Sequence, residues 1–153
     1  MKIPLKIIDK RPYLITTIRS QHLRIGLGQI LFVVDTGSNQ TFIGGKDCER
    51  FNISVKDLPT KTPLRMGGFV YIIKEIKYPI KFYFRDEENK LKDIEFKTFQ
   101  VAVPTLNTDK GKNESSSFPS IIGTDFLYDN KFSLHFLPSK EEAYLEKEDI
   151  TNS

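Results

Sequence analysis

The residues of this chain best suited to chemistry are Phe32-Val33-Val34-Asp35-Thr36-Gly37-Ser38. An apolar, β-branched run delivers one carboxylate onto a tight turn. An Asp at the end of a buried strand is costly unless it is hydrogen-bonded or put to chemical use. Gly37 allows a sharp bend that brings amide N–H groups close to the carboxylate. Thr36 and Ser38 add short hydroxyls able to hold that carboxylate or the turn around it. Asp, Gly and Ser are also ordinary turn residues, so the wider pattern has to decide.

Two further segments widen it. Ser120-Ile121-Ile122-Gly123-Thr124-Asp125-Phe126-Leu127 reads as a short buried strand, a glycine that tolerates close backbone approach, and a helix capped by Thr124 or Asp125. Asp125 lacks a following Thr/Ser-Gly, so it reads as a helix-start residue rather than a second catalytic Asp. Pro63 to Ile73 contains two β-rich runs that meet at Gly67-Gly68, a dipeptide suited to a tight hairpin.

Asp35-Thr36-Gly37-Ser38 resembles the signature of aspartic peptidases. With Ile121-Ile122-Gly123 and the Gly67-Gly68 hairpin in that order, the chain resembles the retropepsin-like aspartic peptidases over roughly residues 12 to 137. The resemblance implies a small closed all-β barrel with a glycine-tipped flap and one short helix near the C-terminus. It implies that Asp35 is catalytic and that Thr36, Gly37 and Ser38 support it. The Thr36 hydroxyl would cross to the partner subunit's backbone, and the Ser38 hydroxyl would bond the outer carboxylate oxygen. Met66, Gly67, Gly68 and Phe69 would form the substrate-binding flap, and Ile121, Ile122 and Gly123 would pass behind the site. Viral members carry Arg after the late glycine, where this chain has Thr124. That and its greater length place it nearer the cellular retropepsin-like domains, and a free-standing chain of this kind would suit a prokaryotic or archaeal relative.

Acid–base hydrolysis of a peptide needs one ionised and one protonated carboxylate. Asp35 occurs once in the required context, so the expected active species is a homodimer with one Asp35 from each subunit. Two carboxylates that close share a proton and titrate as a pair. The expected substrate is an extended peptide or unfolded protein, bound as an added strand beneath the flaps. The rival expectation is a dimeric β module that binds peptides without cutting them.

The remaining sequence bounds the classes. A chain of 153 residues suits one domain, expected over residues 1–137, with a polar loop at 106–117 and a charged tail at 138–153. Twelve Phe, six Tyr and no Trp, with many Ile and Val, favour β structure. A net charge of +3, without a basic block, gives no reason to expect nucleic acid. Neither an apolar leader nor a membrane-length run is seen, which predicts a cytoplasmic protein with no membrane partner. The one cysteine, Cys48, excludes an internal disulfide. Cys48 with His22 or His135 forms no metal-ligand spacing and no peptidase motif, so neither a metal nor a cofactor is expected.

The periodicity predicts strands at 3–8 and 13–18, at 29–34 and at 40–43. It also predicts the 64–76 hairpin, a second hairpin from 80–84 and 91–96, and strands at 99–103 and 131–137. Residues 46–59 read as irregular or briefly helical, and 140–149 as a solvated helix or disordered.

Overall fold

The computed structural model of the chain describes residues 1–66, 69–97, 99–104 and 118–148. The main sheet is built from period-two strands. β3 (Arg11–Ser20) alternates exposed and buried residues along its length, and β4 (Ile25–Val34) alternates until it becomes buried on both faces at Phe32-Val33-Val34. Such continuous burial marks a strand covered on both sides. β2 (Lys6–Ile8) turns into β3 through Asp9 and Lys10, whose φ values of 48° and 63° fit a two-residue hairpin loop of the primed kind.

The other strands are β1 (Lys2–Pro4), β5 (Phe42–Ile43), β6 (Leu64–Met66), β7 (Phe69–Glu75), β8 (Ile80–Arg85), β9 (Leu91–Phe96), β10 (Gln100–Pro104), β11 (Ser120–Ile122), β12 (Phe132–Leu137) and β13 (Glu142–Lys147). Ten strands form one sheet in the order β6-β7-β10-β5-β11-β4-β3-β8-β9, with β2 beside β3, and β1-β13-β12 form a second, three-stranded sheet. Two short helices, α1 (Gly45–Arg50) and α2 (Thr124–Asn130), and a 3-10 turn at Pro138–Lys140 complete the described elements. None of these helices is long and apolar enough to cross a membrane.

Three expectations need correcting. The barrel is not closed: among the described residues the strand path ends at β6 on one side and β9 on the other. The core is sealed by the second sheet instead. Ile3, Phe132 and Leu145 from that sheet join Phe32, Phe82, Phe96 and Phe126 in one buried cluster. The rings of Phe126 and Phe132 stack at 6.2 Å. The charged segment after Pro138 is neither a tail nor a helix. Glu142–Lys147 is the central strand of the small sheet, with Ala143 and Leu145 buried between charged neighbours. Finally, the expected strand 3–8 divides at Leu5, whose amide donates to Ala143 O at 2.9 Å. Its first half pairs with β13 and its second with β3. The short helix near the C-terminus is present as α2, but α1 is an additional one. The 106–117 loop lies outside the described residues.

Candidate active site

Asp35 follows directly from β4. That strand pairs in parallel with β11, with Val33 opposite Ile121 and Val34 opposite Ile122. The pairing continues one step into the turn, where the Asp35 amide donates to Ile122 O at 3.0 Å. The turn then closes on itself: Ser38 N donates to Asp35 O at 3.1 Å, and Gly37 N donates to Asp35 Oδ1 at 2.8 Å. A Cβ on Gly37 would stand 3.1 Å from that same oxygen, so the glycine keeps room for the carboxylate against its own backbone. Asp35, Thr36 and Gly37 are exposed. A carboxylate held by one backbone amide and open on its other side is available to water and substrate.

The Ser38 hydroxyl does not do what was expected of it. It donates to Gln40 O at 2.8 Å and accepts from Gln40 N at 3.3 Å, tying the end of the turn to the approach of β5. A serine side chain is short and bonds its own backbone neighbours readily, and the backbone of Gln40, two residues on, takes this hydroxyl.

Behind the turn, the segment after β11 acts as a clamp. Thr124 N donates to Ser38 O at 2.9 Å, and its hydroxyl reaches the same oxygen at 3.3 Å. Gly123 crosses so close to Gln40 that an added Cβ would meet Gln40 O at 2.5 Å and Gln40 C at 2.6 Å. The residue at the N-cap of α2 is Gly123, with no side-chain cap of its own. Asp125 serves the helix start differently. Its Oδ1 accepts from Phe126 N at 2.7 Å and from Thr41 Oγ1 at 2.6 Å, and its Oδ2 accepts from Thr41 N at 2.9 Å. Asp125 thus ties the helix start to Thr41.

Thr41 is the residue that reading the sequence missed. It is fully buried, and its hydroxyl also accepts from Gly123 N at 2.8 Å. A second unforeseen link joins α1 to β11: Ser120 Oγ donates to Asp47 Oδ2 at 2.6 Å and accepts from Gly44 N at 3.0 Å, while Asp47 also pairs with Arg50 at 2.7 Å. A buried Thr at the start of an apolar strand is the only local signal for the first link. The second had none.

The structure therefore brings Asp35, Gly37 and Ser38 together with Ile122, Gly123 and Thr124. β6 and β7 form an antiparallel hairpin in which Met66 pairs with Phe69. The glycine tip expected at Gly67-Gly68 lies outside the described residues. Cys48 lies in α1, half-buried, with its Sγ 4.0 Å from Ile43 O. Burial above all, then the neighbouring Asp47 and Glu49, pushes its thiol up to about 12. Among the described residues no group of three His, Cys, Asp or Glu side chains is arranged to hold a metal ion.

The fold is similar to that in the crystal structure of a retropepsin-like aspartic protease from Rickettsia conorii, with a TM-score of 0.54 over 96% of this chain and 89% of that chain. The two sequences are 16% identical, so the likeness establishes a retropepsin-like fold and leaves the chemistry to the residues. No protein-family model matches the chain, and no curated protein matches it in sequence.

Proposed function

We propose that this chain is an aspartic endopeptidase that hydrolyses extended polypeptides as a homodimer, with Asp35 of each subunit activating one water between them. The observation that carries the proposal is the Asp35 turn. Its carboxylate emerges from a doubly covered strand, is oriented by the Gly37 amide at 2.8 Å and stands exposed rather than buried. Ile122 O and Thr124 N hold the two ends of residues 35–38 from behind, and Gly123 crosses against Gln40 just beyond them, a support that favours a functional turn over an ordinary one.

In this reading the ionised Asp35 draws a proton from water. The protonated Asp35 of the partner subunit donates to the scissile carbonyl, and the pair shares one proton because two adjacent carboxylates resist double ionisation. The exposed Thr36 hydroxyl meets the partner's backbone. The β6–β7 hairpin serves as the flap, with Met66, Gly67, Gly68 and Phe69 against the substrate, and its opening gates entry. The Ile121-Ile122-Gly123 segment holds the turn from behind.

The test is incubation of the purified protein with a mixture of unfolded proteins across the acid-to-neutral range, with peptides read by mass spectrometry. The proposal expects new internal cleavages that a pepstatin-type transition-state mimic suppresses. Binding of unfolded chains with no cleavage at any pH would favour the non-catalytic peptide-binding module.

A further inference from the structure

α1 is six residues long and is fastened at both ends to the two strands that build the Asp35 turn. At one end the Ser120 hydroxyl, at the start of β11, donates to Asp47 Oδ2 at 2.6 Å. At the other end Arg50 Nη2 donates to Gln29 O of β4 at 2.5 Å. The two ends are joined within the helix, because Arg50 Nη2 and Nε also donate to Asp47 Oδ1, at 2.7 Å and 3.1 Å. Phe51, the next residue, lies so close to β4 that a Cβ on Gly28 would meet its ring at 2.3 Å. An unbroken chain of bonds thus runs from β11 through Ser120, Asp47 and Arg50 to Gln29. Ser120 sits opposite Phe32, three residues beyond Gln29, or about 10 Å along the strand. A six-residue helix spans about 9 Å, so α1 matches the interval it bridges.

β4 and β11 need such a tie. β11 has only three residues, all buried, and it runs beside Phe32-Val33-Val34, which are buried as well. Register is ordinarily fixed by in-and-out alternation, since a one-residue slip turns apolar side chains to water. Where both strands are buried on both faces, that signal is absent. A slip here would part Asp35 N from Ile122 O and Thr124 N from Ser38 O, the bonds that hold the two ends of residues 35–38. The Thr41–Asp125 link fixes the pair beyond the turn. The α1 chain fixes it before the turn, through a buried Ser120 and a half-buried Asp47.

We propose that Asp47 and Arg50 are positioning residues for Asp35: through Ser120 and Gln29 they set the stagger of β11 against β4, and with it the place of the carboxylate. This deepens the peptidase reading and rests on it for the reaction that is served. The two residues act through the strands and not on the substrate. Their bonds are in series, so cutting any one of them releases the whole brace.

The test reads the full chain by amide hydrogen exchange and by hydrolysis of unfolded protein. Arg50 is exposed, and Arg50→Ala should fold. In that variant the amides of Asp35 and Thr124 should exchange about tenfold faster, because the turn can open locally. kcat should fall about tenfold with KM unchanged, less than the roughly hundredfold cost of a misplacement of about 1 Å. Ser120→Ala cuts the other end and should do the same, and the two substitutions together should do no more than either alone. Independent contacts so far apart would instead add. If Ser120→Ala fails to fold, the exchange of the Arg50→Ala protein decides. Unchanged exchange at Asp35 and Thr124, or additive losses in the double variant, overturns the brace without touching the peptidase reading. Faster exchange in Arg50→Ala with no hydrolysis by the wild type overturns the peptidase reading and leaves the brace standing.

Discussion

The hydroxyl of Thr41 donates to the carboxylate of Asp125 at 2.6 Å across 84 residues of sequence, while it accepts the amide of Gly123 at 2.8 Å. One buried oxygen thus joins the strand that leaves the Asp35 turn to the segment that passes behind it. This buried side-chain link is a place where substitution can loosen the site without altering residues 35–38 themselves.

Thr41→Val keeps the shape and removes the hydroxyl. It strands the Gly123 amide and one carboxylate bond in a buried place, at a cost of about 3 kcal/mol. Thermal unfolding should fall by roughly 6–12 °C for a chain of this size. An unchanged Tm would show that the link carries no stability. The peptidase reading further expects turnover to fall more than substrate affinity, as the Asp35 turn loses its fixed position.

Gly123→Ala should be worse. Its Cβ would be driven to 2.5 Å from Gln40 O, a backbone atom that moves only with the turn. A loss exceeding about 3 kcal/mol is expected, and denaturant titration measures it. Wild-type stability in a folded Gly123→Ala protein would contradict the close crossing.

The turn and its partner strand were legible in the sequence because each is short and continuous. The apolar run into Asp35 and the Ile121-Ile122-Gly123 segment carry their own signals. The Thr41–Asp125 link was not legible, since nothing near Thr41 names a partner so distant in sequence. Ser38 misled because a serine beside a candidate catalytic Asp has two neighbours to bond, and the nearer backbone of Gln40 takes the hydroxyl. The strand β13 was hidden by its charges. Glu142, Glu146 and Lys147 read as a solvated segment, whereas Ala143 and Leu145 between them keep the period of two and are buried. Likewise the barrel expectation failed because local pattern predicts strands and not whether the first and last of them meet.

Asp86 gives a pH-dependent test of the β8–β9 hairpin. Burial raises its pKa, but the amides of Lys90 and Glu88, then the Lys92 ammonium, outweigh it, and the carboxyl lies below its usual value. A folded pKa below the unfolded one stabilises the protein above the unfolded value of about 3.9, and that gain is lost as pH falls through the folded value. Asp86→Ala should therefore be less stable than wild type at neutral pH, with the gap closing as the pH is lowered into the acid range. A gap that stays constant down to acid pH would contradict this account.

Cys48 should be inert in the folded protein. With its thiol pushed up to about 12, only about one part in ten thousand is thiolate at pH 8. A thiol reagent should label it slowly under native conditions and fully in denaturant. Native labelling at the rate of a free cysteine would contradict the burial assigned to it.

The central claim is tested most directly by Asp35→Asn. The amide is nearly the same shape and can still accept the Gly37 N–H, so the fold should survive, and with it the dimer that the peptidase reading requires, as circular dichroism and sedimentation can verify. It can neither take a proton from water nor share one with its partner. Incubated with the same unfolded substrates as wild type, the variant should produce no cleavage above background. Hydrolysis by a pure, folded Asp35→Asn protein at a rate near wild type would contradict the assignment of Asp35 as the catalytic residue.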